Sequence, residues 1–217
     1  LKKIWLLIQH QKMIGNTSLF DKHKNNLLLF FVFILISNNV YSDNMIIDDI
    51  ENSNSSAEQK DYCENTVTKW CFVTDKVMGG VSEGSLKLIK EDNTAYYNMQ
   101  GDISTANNGG FIQFRTMIQN HPKDKLFKGI RIKVRGNNEE YAIHLRTKYL
   151  FLPWQYYESK FIANNEWKII ELPFSSFNKS NFYQPSSVSS IDVQSIGIVA
   201  IGRNFKANID LASIELY

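Results

Sequence analysis

Residues Gly129 to Arg135 read Gly-Ile-Arg-Ile-Lys-Val-Arg, which sets Ile130, Ile132 and Val134 on one side of the chain and Arg131, Lys133 and Arg135 on the other. A period of two is what a strand with one buried face requires, whereas a helix needs its apolar residues three and four apart. The same alternation, less strict, covers Leu86 to Lys90, Ala95 to Met99, Phe111 to Ile118, Tyr141 to Lys148, Tyr157 to Ile162, Trp167 to Phe174, Ser195 to Ile201 and Ala207 to Leu216. That amounts to about nine predicted strands. From Ser85 onward no helical stripe exceeds a turn or two, so there is nothing to carry parallel crossovers. An all-β fold is expected: an antiparallel β-sandwich or jelly roll of two packed sheets.

Turn chemistry supports the division. Gly79-Gly80, Asn107-Asn108-Gly109-Gly110, Gly136-Asn137-Asn138 and Asn164-Asn165 fall between the runs and accept positive φ at low cost. The Ser-rich stretch Pro185 to Ser190 reads as a surface loop. A domain of 157 residues, Asp61 to Tyr217, buries about 68–70 % of its unfolded surface, enough to stand without a metal or a disulfide framework.

The first sixty residues differ from the rest. Leu27 to Ile36 is an unbroken apolar run preceded by Lys22, His23 and Lys24 and followed by Val40-Tyr41-Ser42, the layout of a secretory signal. It is half the roughly 20 residues a membrane-spanning helix needs, which leaves an uncleaved anchor as the alternative and implies no stable span once the signal is removed. Residues 1–42 are therefore read as a signal-peptide region, with the part before Met13 outside the fold argument. An exported protein, periplasmic or secreted, is expected. No Arg precedes Arg115, so an Arg-rich mitochondrial presequence is disfavoured. Residues 43–60 carry five acids against one Lys and no sustained period, and are expected to form a disordered acidic linker to a domain spanning 61–217.

Charge excludes some partners. Without residues 1–42 the formal charge moves from +2 to 19 − 21 = −2, and the domain has no single-sign run that could track a phosphate backbone. Nucleic acid is not an expected partner. Cys63 and Cys71 could form a disulfide in an exported compartment, closing a short loop at the domain's start, or remain two thiols. No metal and no cofactor is expected: His121 and His144 lack ligand spacing, and phosphate-cradling and dinucleotide-binding glycine patterns are missing. A Gly-x-Ser-x-Gly elbow and a His-Glu-x-x-His pair are missing too, so the chain is expected to bind rather than catalyse.

One segment carries a resemblance. Trp70-Cys-Phe-Val-Thr-Asp75-Lys-Val-Met78-Gly79-Gly80-Val-Ser82 is similar to the opening motif of the complex I intermediate-associated protein 30 family. Further blocks follow in that family's order. They are Gly101 to Ser104 leading to Asn108-Gly109-Gly110-Phe111 and Arg115; Gly129 to Gly136 with Tyr141 and Arg146; Tyr156 to Phe161; Trp167 into Leu172-Pro173-Phe174 and Phe177; and the closing run Phe205 to Ile214. The resemblance implies a galactose-binding-like jelly roll and a non-catalytic, chaperone-like role as an assembly factor for respiratory complex I. It departs at the secretory-looking N-terminus and in lacking an Arg-Gly pair between Asn178 and Pro185.

Candidate binding residues follow. Asp75 beside Gly79-Gly80 can cap a turn, hold a cation or touch a ligand, and capping is the simplest of these. Asn107 and Asn108 form a permissive loop ahead of a strong strand. Arg115 and Arg146 sit on polar sides of strands. Near Trp154, Tyr156 and Tyr157 they would offer bidentate donors beside stacking surfaces, suited to a carbohydrate, a carboxylate or a protein partner's backbone. Leu150 to Tyr157 either packs inward, the simpler reading, or forms an exposed aromatic patch. Two functions are thus expected in competition: a protein-binding assembly factor acting on respiratory-complex intermediates, or an exported carbohydrate-binding module.

Overall fold

The computed structural model describes residues 44–52, 66–67, 69–91 and 94–217. The expected signal region and residues 53–65 lie outside the described residues.

Asn44 to Tyr217 forms one compact unit built as two antiparallel sheets. The strands are β1 (Met45–Asp49), β2 (Thr66–Val67), β3 (Trp70–Thr74), β4 (Glu83–Glu91), β5 (Thr94–Ile103), β6 (Phe111–Met117), β7 (Gly129–Gly136), β8 (Glu139–Thr147), β9 (Tyr157–Ala163), β10 (Lys168–Pro173), β11 (Asn178–Lys179), β12 (Val193–Ile201) and β13 (Phe205–Leu216). Six strands form one sheet in the order β10-β7-β13-β5-β4, with β1 also on β13; the other seven run β11-β9-β8-β12-β6-β3-β2.

The alternation that predicts β7 works as expected. Ile130, Ile132 and Val134 are sealed in the core, while Arg131, Lys133 and Arg135 point outward to ion-pair with Glu171 and Glu215, Glu51 and Asp210. Each outward cation on this strand thus has a carboxylate from a neighbouring segment, the cross-strand pairing that lets a charged face lie flat on a sheet. From the opposite sheet Ile112, Phe114, Ile143, Leu145, Ile196 and Ile198 close the core, with Trp70 edge-on to Phe114 at 5.0 Å between ring centroids.

A bulge in β13 shows how one residue re-phases a strand. Ile209 and Leu211 face inward, yet strict alternation would then bury Ser213 and Glu215. The register against β7 instead skips Ala212, so Ile214 and Leu216 return to the core and Glu215 stays out to meet Arg131. The carbonyl exposed by the bulge is used: Ala212 O accepts from the N–H groups of Ile50 and Glu51.

Those contacts correct the linker reading. Met45–Asp49, expected within an acidic tether, is a strand paired with the end of β13, and Ile50 is buried. The acid that looked solvated is internal: Asp48 Oδ2 accepts from Trp70 Nε1 at 2.7 Å, and Lys69 Nζ lies 3.2 Å from its other oxygen. The compact unit therefore begins at Asn44 rather than at 61, because a strand edge and an indole N–H supply partners that local composition does not reveal.

Candidate functional site

Strand pairing sorts the candidate residues between two ends of the sandwich. β3 finishes at Thr74 opposite Ile112, near the start of β6, so Asp75 and the Asn107-Asn108 loop share one end. Arg146 pairs with Ser195, which pairs with Met117 at the finish of β6, so Arg146 and the loop carrying Trp154 belong to the other.

At the first end Asp75 is a bolt. Its side chain is fully enclosed, 0 % exposed. The carboxylate accepts from Ser82 N at 2.9 Å, Ser82 Oγ at 2.5 Å, Gly110 N at 2.5 Å and Phe111 N at 3.3 Å. Burial by itself would raise this carboxyl, but the Ser82 hydroxyl and the Gly110, Ser82 and Phe111 amides together hold it below the usual aspartate value. Fully enclosed and accepting four hydrogen bonds inside the protein, Asp75 caps and joins two loops. The joint is tight enough to need glycine on both sides: a Cβ at Gly80 would lie 2.3 Å from Asp75 Cγ, and one at Gly109 2.4 Å from Asp75 Oδ2. Asn107 and Asn108 take φ of 58° and 56°, the left-handed region Asn tolerates, and their side chains make no hydrogen bond among the described residues. Their place in the sequence is accounted for by backbone geometry, and they do not converge with Arg146.

At the second end the outward face of the seven-stranded sheet gathers the other candidates. One cross-strand row carries Cys71, Arg115, Gly197, His144 and Glu158, and the next carries Met117, Ser195 and Arg146. Arg146 folds its guanidinium over the loop that follows β8. Nη1 donates to the carbonyls of Leu152, Pro153 and Gln155 at 3.0, 2.9 and 2.8 Å, and Nη2 to Leu150 O at 3.3 Å. Burial, and then the nearby charge of Arg115, lower this guanidinium from its ordinary value. Arg115 is exposed and has no ion pair or hydrogen bond among the described residues.

The clamped loop turns several large side chains out. Phe151 is 86 % exposed and Trp154 58 %, while Leu150, Gln155 and Tyr157 anchor the same loop inside. Inward packing, the simpler expectation for this stretch, therefore holds only for its anchors, because the carbonyls that Arg146 collects turn the intervening side chains to solvent. Ser180 ties a second loop alongside, accepting from Tyr156 N through Oγ at 3.0 Å and donating its own N–H to Tyr156 O. That second loop adds Phe182, 74 % exposed, with its ring 3.7 Å from that of Tyr183.

Tyr156 lies flat on His144, 3.8 Å between centroids and 10° between planes, and His144 Nε2 donates to Glu158 Oε2 at 3.0 Å. This hydrogen bond holds the Glu158 carboxyl below its usual value against the effect of burial. The His144–Glu158 pair is not legible in the sequence, since the two residues meet only through the register of β8 on β9; Phe182 and Tyr183 were missed because their loop has no alternation to read. Cys71 is disulfide-bonded, and the chain's other cysteine, Cys63, lies outside the described residues. Among the described residues no cluster of His, Cys, Asp or Glu could hold a metal ion, and no helix is long and apolar enough to cross a membrane.

Residues 58–211 match the family described as complex I intermediate-associated protein 30. The chain belongs to this family. The family's opening motif, Trp70 to Ser82, is thus the strand and turn closed by the Asp75 bolt. No curated protein matches the sequence significantly.

Among solved structures, the family 11 carbohydrate-binding module of Clostridium thermocellum, in complex with a β-1,3-1,4-mixed-linked tetrasaccharide, is similar with a TM-score of 0.57 at 16 % identity. The likeness covers 80 % of this chain and 94 % of that one. The same family 11 module from the cellulosomal cellulase Lic26A-Cel5E gives 0.57 at 16 %, over 80 % and 93 %. A solution structure named CtCBM11 gives 0.56 at 15 %, over 82 % and 96 %. At such identity the likeness establishes a shared β-sandwich fold.

Proposed function

We propose that this member of the complex I intermediate-associated protein 30 family is a non-catalytic binding protein that docks a protein partner on the aromatic end of its seven-stranded sheet. The observation that carries the reading is the pair of loops around Phe151, Leu152, Trp154, Phe182 and Tyr183, whose large side chains are held out to solvent by Arg146 and Ser180. Isolated exposed apolar residues are ordinary, but rings clustered on two interlocked loops mark an interaction surface. Phe151 and Phe182 offer no hydrogen-bonding group, which suits apolar partner side chains better than sugar hydroxyls. The family's description, as intermediate-associated, supports an assembly-factor or chaperone-like role. The apolar run at Leu27 to Ile36 and the disulfide at Cys71 support action in an exported, oxidising compartment.

A second reading has its own support. Trp154 and the His144-stacked Tyr156 beside two guanidinium groups resemble a sugar platform with donors, and the fold is shared with a module bound to a tetrasaccharide. A photo-crosslinking phenylalanine analogue placed at 151 in the native host tests the first reading, with one at exposed Lys87 on the opposite sheet as control. A discrete protein adduct from position 151 alone is expected. A clean lane there, with Trp154-dependent retention on mixed-linked β-glucan, would replace the first reading by the second.

A further inference from the structure

The arginines of the two sheets are not all neutralised. On the six-stranded sheet Arg131, Lys133 and Arg135 each meet a carboxylate. On the seven-stranded sheet Lys160 meets Glu140, His144 meets Glu158 and, past its edge, Lys148 meets Asp192. With Arg203 held by Glu139, Arg115 and Arg146 are the two arginines among the described residues that meet no carboxylate. They stand on β6 and β8 on either side of β12, Arg115 opposite Gly197 and Arg146 opposite Ser195 on the same outward face. A sheet surface shaped for solvation alone separates like charges or intersperses acids between them. Two guanidinium groups flanking one strand without a counter-ion are instead an arrangement that an external anion can complete.

Gly197 lies opposite both Arg115 and His144 on neighbouring strands, and a Cβ there would already come within 3.3 Å of Arg115 Cβ. The missing side chain leaves a gap in the outward row beside Arg115, bordered by the Gln113 amide, whose Oε1 would lie 3.4 Å from that Cβ. Ser195, next along β12 on the same face and directly opposite Arg146, has a hydroxyl with no partner among the described residues. Arg146 spends Nη1 and part of Nη2 on loop carbonyls, which leaves Nε–H and one further N–H without an acceptor among the described residues; all five donors of Arg115 are unspent.

We infer that Arg115 and Arg146, over Gly197 and Ser195, form a carboxylate-binding subsite that receives an acidic side chain of a peptide segment whose apolar neighbours cover Phe151 and Phe182. The inference rests on the protein-docking reading above and gives that partner a chemistry: acidic residues interspersed with apolar or aromatic ones. A uronic-acid polysaccharide shares the carboxylate but would leave Phe151, Leu152 and Phe182 facing solvent, so the peptide is the better fit.

The probes are two soluble synthetic peptides, one alternating Glu with Phe and one with Gln in place of Glu, together with polygalacturonate. Binding to the full chain is read from tryptophan fluorescence and calorimetry. The Glu peptide is expected to bind at least about tenfold more tightly than the Gln peptide, the scale of losing one charge-assisted pair. That margin shrinks with rising salt. Arg115→Gln, at an exposed position without internal partners, is expected to erase the margin while leaving the urea midpoint unchanged, and Arg115→Lys to restore part of it. Equal affinity for the two peptides on the wild type overturns the subsite, as does tight binding of polygalacturonate with neither peptide bound. The crosslink from position 151 separates the two ideas: an adduct that persists beside equal peptide affinities sinks the arginine subsite alone, whereas no adduct beside a Glu preference sinks the docking reading alone.

Discussion

Replacing Asp75 by Asn removes one negative charge and one acceptor while keeping the shape, and it isolates what the buried carboxylate contributes. If the Asn carbonyl keeps the Ser82 N–H, its amide must face the Gly110 and Phe111 N–H groups that now point at Asp75 Oδ2. The Ser82 hydroxyl can turn to Ser104 O, 3.3 Å away, but the Gly110 N–H has no second acceptor among the described residues. Losing about two hydrogen bonds to a charged acceptor, at about 1.5–3 kcal/mol each, amounts to about 3–6 kcal/mol. That is a large share of the ~5–15 kcal/mol that holds a typical domain folded. With a urea slope of ~2 kcal/mol/M, the midpoint followed by tryptophan fluorescence should fall by roughly 2 M at neutral pH.

The effect also has a pH signature. Since the folded carboxyl sits below the ordinary value of 3.8, the unfolded chain binds more protons near that pH, so this group's contribution is complete above it and is lost as pH falls through the folded value. The gap between wild type and Asp75→Asn should therefore close in acid below that value. A midpoint for Asp75→Asn matching wild type at neutral pH, or a gap that widens in acid, would refute the reasoning.

Gly79→Ala and Gly80→Ala should separate strain from collision. Gly79 has φ of 87° but open space around its missing Cβ, for a cost of about 1 kcal/mol, whereas a Cβ at Gly80 meets the Asp75 carboxyl and should cost several-fold more by urea unfolding. Arg146→Lys keeps the charge but cannot reach four carbonyls at once, so hydrogen exchange of residues 150–156 should accelerate with little change in the global midpoint. We propose Cys63 as the partner of Cys71: denaturing alkylation without reductant should label neither cysteine, and labelling of both would count against the bridge.

The buried faces were legible because period-two alternation is a local property. Ile130, Ile132 and Val134 needed no knowledge of their neighbours to be placed in the core, and the same holds for the strand runs around Phe114, Ile143 and Ile198. The strand β1 was hidden in an acidic stretch, since its stability comes from the edge of β13 and the indole of Trp70, both distant in sequence. The candidate residues were named individually from the chain, but their grouping was not. Asp75, Asn107 and Asn108 went to one end and Arg115, Arg146, Trp154 and Tyr156 to the other, because strand order and register decide which outward side chains become neighbours. Alternation fixes which face a residue takes; only the pairing of strands fixes whom it meets there.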